Sequence, residues 1–166
     1  MSKKKDNNTY DFGYGLVEAY RHPKGGGWVA ATAWVGDHAF IGPDAMVSKN
    51  AIVEDNAVVK DRAHVTDRAK VSDSAIISDD ALVFGDCLVR WDAKVSGSAW
   101  VSGWATVEEE AKVTENAWVC GKAYLTENAY VGGNSTVGGH VPLTVGKGQR
   151  IEGTTWLVRD PEEEVQ

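Results

Sequence analysis

Between Val29 and Val137 an aliphatic residue stands at every sixth position without an insertion, nineteen in succession, and Leu143 extends the count as a candidate twentieth. Two residues before each of the nineteen is a small side chain: sixteen alanines, with Gly27, Cys87 and Ser135 in the other places. The residue between is unconstrained, as Ala99-Trp100-Val101, Ala105-Thr106-Val107 and Ala111-Lys112-Val113 show. A fixed short period marks a repeat architecture. Alternation by two puts Ala and Val on one side of a short strand and the middle residue on the other. The Val-rich triplets favour strand, and each is followed by turn formers such as Gly36-Asp37, Pro43-Asp44 and Asp55-Asn56. A helix needs apolar residues at spacings of three and four, and here Gly or Asp-Asn would interrupt every turn. Each hexapeptide therefore reads as one very short strand and one corner. Such a strand cannot bury its face alone, and stacked coils supply the missing partners. The expected fold is all-β, a single-domain parallel β-helix (β-solenoid) with a valine stack beside an alanine stack inside and the middle residues outside.

The unbroken Val-x-x-x-Ala-x pattern over about residues 27–140 resembles the hexapeptide repeat of the left-handed parallel β-helix family. The resemblance implies three hexapeptides per triangular coil of about 18 residues, a left-handed turn and, as in many members, a homotrimer; the spacing alone gives neither triangle nor hand. With strands ~4.8 Å apart, roughly six coils stand about 30 Å tall. The ends of a solenoid expose unpaired backbone and need covers. The layout expected is a loose tail at 1–8, an N-terminal cap at 9–26, the repeat at 27–140, a C-terminal cap at 141–159 and an acidic tail at 160–166.

At eighteen residues per coil, one outer face presents Trp28, Met46, His64, Leu82, Trp100, Trp118 and Thr136. Each aromatic offers ~150–250 Å² for burial, and three tryptophans with Met and Leu exceed what a monomer usually leaves in water. This face is expected to bind a second copy or another protein. One corner column reads Asp37, Asp55, Asp73, Trp91, Glu109, Glu127, with Asp92 and Glu110 beside it and Glu54 and Glu108 just before. Gly and Asp tolerate left-handed turns, but Glu has no such advantage, so turn chemistry leaves Glu109 and Glu127 unexplained. Like charges one coil apart repel by roughly 1 kcal/mol before screening, which makes the acidic edge a candidate for recognising a basic groove.

Composition adds exclusions. A net charge of −7 argues against direct nucleic-acid binding and against an anionic membrane surface. Cys87 and Cys120 form no metal-type spacing, and a disulfide framework is not expected. There is no signal-peptide pattern and no apolar run near ~18 residues, so the expectation is a cytoplasmic protein without a membrane span. Many proteins with this repeat are acyltransferases using one His as general base between subunits, and some are metal enzymes resembling carbonic anhydrase. His64, on the tryptophan-rich face, and His140 are the candidate bases. No loop interrupts residues 29–137 and no coenzyme A or sugar-nucleotide motif accompanies them. No two of His22, His38, His64 and His140 share a column, so no metal and no cofactor are expected. Cys87 takes an inward Ala place, where thiols are inert, and Gly25-Gly26-Gly27 opens no phosphate loop.

The leading reading is a non-enzymatic oligomeric binding protein, a rigid rod with an aromatic face and an acidic edge. Its specific form is a phage or mobile-element inhibitor of a host defence nuclease, because small, nearly pure repeats of this sort resemble phage and bacterial members of the family. The alternative is a hexapeptide-repeat acyltransferase with a His base at a subunit interface. A scaffold subunit is the third reading.

Overall fold

From Trp28 to Val137 each hexapeptide strand pairs in parallel with its counterpart eighteen residues away, with no slip of register: Val47 lies beside Val65, and Val83 lies between Val65 and Val101. The computed structural model describes residues 9–159; the tails expected at 1–8 and 160–166 lie outside the described residues. Three sheets result, one of ten strands and two of seven. The described chain is all-β, a single parallel solenoid of about seven coils with ~18 residues each. It contains no helix long and apolar enough to cross a membrane.

The two-residue strands hold because their backbone groups bond to the coils on either side. Leu82 donates its N–H to Ala99 at 3.0 Å and Phe84 donates to Val101 at 2.9 Å, and the pattern repeats along the rod. Inside, past the partly buried Ala33 and Val35 of the first coil, the aliphatic column and the alanine column are shut off from water: Val47, Val65, Val83 and Val101 expose nothing, nor do Ala45, Ala63 and Ala99. β-branched residues suit this position because their stiff side chains stack on the pleated surface with little entropy left to lose. At most corners one residue takes a left-handed φ, such as Asp55 at 57° and Gly103 at 70°. One corner column is built of glycine for space as well: a Cβ on Gly103 would sit 2.8 Å from the Gly121 nitrogen of the next coil.

The N-terminal segment is a hairpin of β1 (Thr9–Asp11) and β2 (Leu16–Arg21), and β2 runs antiparallel to β3 (Trp28–Ala30), so the hairpin extends the ten-stranded sheet past its first coil and β1 becomes the edge. The Asp11 carboxylate accepts the N–H groups of Gly13 and Gly15 at 2.8 and 2.9 Å; these bonds fix the turn and hold its pKa below the usual carboxylate value. Gly27 donates to the Ile41 carbonyl, and the Lys24 carbonyl accepts from Ile41, so the link after β2 covers a second sheet edge.

At the other end the strands Leu143–Val145, Arg150–Ile151 and Trp156–Arg159 continue the three sheets in parallel, now twenty residues after their partners. The two extra residues enter at the corner after Gly139 and change the alignment. Leu143 falls beside Ala123, and Val145, 1% exposed, takes the inward aliphatic place beside Leu125. Leu143 is therefore not the twentieth member of the column; Val145 is.

Candidate functional site

The outward column of the first sheet runs Trp28, Met46, His64, Leu82, Trp100, Trp118 and Thr136 in direct register, and Trp156 stands next after Thr136. Its two halves have different surroundings. Over the first three rungs the hairpin curls back onto the face. Tyr10 stacks on Trp28 with ring centres 4.5 Å apart, the Arg21 guanidinium lies 4.1 Å from the same indole, and Phe12 lies 6.3 Å from the His64 ring. Phe12, Ala19 and Ala30 form a small second core against which Trp28 and Met46 pack. Trp28, Met46 and His64 are half-buried as a result.

From Leu82 onward the hairpin no longer covers the column. Trp100 is 47% and Trp118 41% exposed, although both belong to rigid strands. Phe84, Trp100 and Trp118 meet edge to face, with centres 6.2 and 6.3 Å apart. The Trp118 indole N–H donates to Ser102 Oγ at 2.9 Å, so the ring presents only its apolar surface outward. Sequence reasoning missed Trp156, 73% exposed, because the two-residue insertion breaks the period before it. It also passed over Trp104, 66% exposed, which occupies a corner and lies outside the strand columns.

His64 is positioned by neighbours on its own face. Its Nε2 lies 2.8 Å from Ser48 Oγ, which also bonds Thr66 Oγ1 at 2.9 Å, and Phe12 covers the ring. Burial, and secondarily the Lys49 ammonium, push its pKa down to about 4. The imidazole is neutral at pH 7, and its Nε2 is already held by Ser48. Linkage gives this a measurable sign. Between about pH 6.5 and pH 4 the unfolded chain binds a proton at His64 that the folded chain does not, so stability falls as pH drops through that window and is flat above it. The expected loss is on the order of 2–3 kcal/mol at pH 4 relative to pH 7. Urea unfolding across this range should show that slope, and His64→Asn should remove most of it. His140 is exposed at the corner after Gly139, in the insertion.

The acidic edge lies at the corner between the two seven-stranded sheets, and its carboxylates are built into the rod. Asp55 accepts the N–H of Asp73 in the next coil at 3.3 Å, Asp73 accepts that of Trp91 at 3.2 Å, and Glu109 accepts that of Glu127 at 2.5 Å. The next corner repeats the device, from Asp79 to Gly97 at 2.9 Å and from Glu115 to Gly133 at 2.6 Å. Glu109 and Glu127 adopt left-handed φ values of 58° and 55°. Turn chemistry thus does account for glutamate here: a side chain at this corner can bond an outward N–H one coil away, which offsets the repulsion between neighbouring carboxylates.

Two members of the acidic group are already paired. Glu54 forms an ion pair with Lys70. Glu108 turns inward to 2% exposure, where Arg90 donates to it from Nε at 2.7 Å and Nη2 at 2.6 Å and the Tyr124 hydroxyl donates to its other oxygen. Arg90 also stacks 4.5 Å from Trp91. Asp37, Asp92, Glu110 and Glu127 have no ion pair among the described residues. Asp92, Glu110 and Glu127 line an open recess of about 520 Å³ with Trp91, Glu109 and Asn128. Among the described residues no three His, Cys, Asp or Glu side chains are grouped to hold a metal ion. Burial pushes the Cys87 thiol up to about 12 and raises that of half-buried Cys120. No family model, curated protein or solved structure matches the chain.

Proposed function

We propose that this chain is a non-enzymatic oligomeric binding protein, a left-handed rod whose open aromatic half-face and acidic corner meet protein partners. The observation that carries this reading is the exposure of Trp100, Trp118 and Trp156 in one column on a rigid sheet. Indoles held in that way lose little entropy on association and cost solvation until they are covered. The acidic corner adds a second surface. Its carboxylates are spaced by one coil and several keep no cation, so they suit a groove lined by Lys or Arg. In its specific form the protein is a phage or mobile-element inhibitor, acting in the cytoplasm, whose acidic corner occupies the basic groove of a host defence nuclease. The acyltransferase alternative draws no support from His64, which is bonded to Ser48 and covered by Phe12.

The test uses the carboxylates that do not hold the ladder together. Replacing Asp92, Glu110 and Glu127 by Lys leaves Glu109 bonded to the next coil. The triple variant is expected to fold, to lose at least about tenfold in affinity for a basic-groove nuclease, and to remove the salt dependence of the wild-type complex. Equal binding by wild type and variant at low and high salt would sink the acidic-corner reading.

A further inference from the structure

Resting on the oligomeric reading above, the geometry points to one arrangement of copies: a two-fold, antiparallel dimer in which the open half-faces of two chains meet with Trp118 at the axis. Three observations lead there. The first is charge. The two corner columns bordering this face read Pro43-Asp44, Asp61-Arg62, Asp79-Asp80 and Lys49-Asn50, Asp67-Arg68, Gly85-Asp86 alongside the first coils. Nine of these twelve residues are charged, and cross-coil ion pairs such as Arg62–Asp80 and Arg68–Asp86 run through them. Alongside Trp100, Trp118 and Thr136 the same columns read Gly97-Ser98, Glu115-Asn116, Gly133-Asn134 and Gly103-Trp104, Gly121-Lys122, Gly139-His140, where only Glu115 and Lys122 are charged at pH 7. A face rich in aromatics and poor in charge has the composition of an interface centre. In a protein of net charge −7 it is also the stretch of this face with the fewest carboxylates. The two-fold sets Glu115 against its own copy, but that carboxylate is already bonded to the Gly133 N–H at 2.6 Å. A basic partner is drawn to the acidic corner instead, so the occupant this patch fits is a second copy.

The second observation is the hairpin. It stands on the same face over Trp28 and His64. Copies packed in the same direction, including a three-fold arrangement, bring their hairpins to one level. Two extra layers then stand between tryptophan columns that need to approach to ~10 Å. Copies in opposite directions avoid this, because each hairpin lies beyond the end of its partner.

The third is size. Five rungs lie past the hairpin, with Trp100, Trp118 and Trp156 exposed and Leu82 and Thr136 half-buried between them, and Trp118 is the middle one. A two-fold through it sets Trp118 against Trp118, Trp100 against Thr136, and Leu82 against Trp156, so that large side chains meet smaller ones on four of the five rungs. Five rungs at ~4.8 Å and a side of six residues at ~3.3 Å give a flat footprint of roughly 500 Å² per copy. The pair buries about 1,000 Å² before side-chain relief is counted, enough for a specific interface.

Sedimentation of the full chain at micromolar concentration should give twice the 17.9 kDa chain mass, and Trp118→Asp should give the monomer with an unchanged circular dichroism spectrum. Direction is read by thiol cross-linking in a Cys120→Ser background with a short bis-maleimide. Leu82→Cys and Trp156→Cys copies should link when mixed, and neither should link to itself. Self-linking of either variant, or a trimer mass, overturns the antiparallel two-fold while leaving self-association standing. A monomeric wild-type chain overturns both.

Discussion

Val83→Asp should unfold the middle of the rod. Val83 is fully buried between Val65 and Val101, and its side chain has no polar neighbour inside the valine column. A carboxylate there loses its water and gains no hydrogen bond, at a cost on the order of 4–5 kcal/mol, comparable with the whole stability of many domains. Because each coil contacts only its neighbours, a central change damages two interfaces at once. Val145→Asp, in the last coil, damages one and should cost roughly half as much. Urea unfolding followed by far-ultraviolet circular dichroism separates the two. A Val83→Asp protein as stable as wild type would mean that the column does not face inward.

The second large effect is expected at Arg90. Its guanidinium satisfies a carboxylate, Glu108, that is 2% exposed, and only the Tyr124 hydroxyl remains if the cation goes. Removing one partner of a fully buried pair costs about 3–5 kcal/mol; the Arg90 side chain is 37% exposed, so Arg90→Met is expected to cost about 2–3 kcal/mol. Adding Glu108→Leu to Arg90→Met should restore most of that loss, because the stranded carboxylate is then gone. A single variant within about 0.5 kcal/mol of wild type would show that water reaches Glu108.

Much of this molecule was legible before any coordinates. Nineteen aliphatics at period six can be satisfied in one way only, by short strands that stack, and the burial of Val47 through Val137 follows that period. The outer columns were legible only through the eighteen-residue coil that the family resemblance implied, which places Trp100 beside Trp118. The reading faltered where the period did. The insertion after Gly139 moved Leu143 out of the aliphatic column, put Val145 into it and brought Trp156 onto the open face. It faltered again at the corners, where Glu109 has a backbone partner eighteen residues away that no local rule anticipates.

The sequence by itself settled the strand period and the inward and outward sets, while the stacking partners followed from the eighteen-residue coil that the family resemblance implied. Those depend on a regular alternation of small and branched side chains, and a regular pattern has one regular solution. Tertiary structure alone decided which part of the aromatic column stays in water, because a hairpin without the repeat folds back over three rungs and leaves five. It likewise decided that Glu108 turns inward to Arg90 while Glu109 braces the next coil. Adjacent residues of the same type part company there because their nearest partners lie in other coils, and only folding brings those partners within reach.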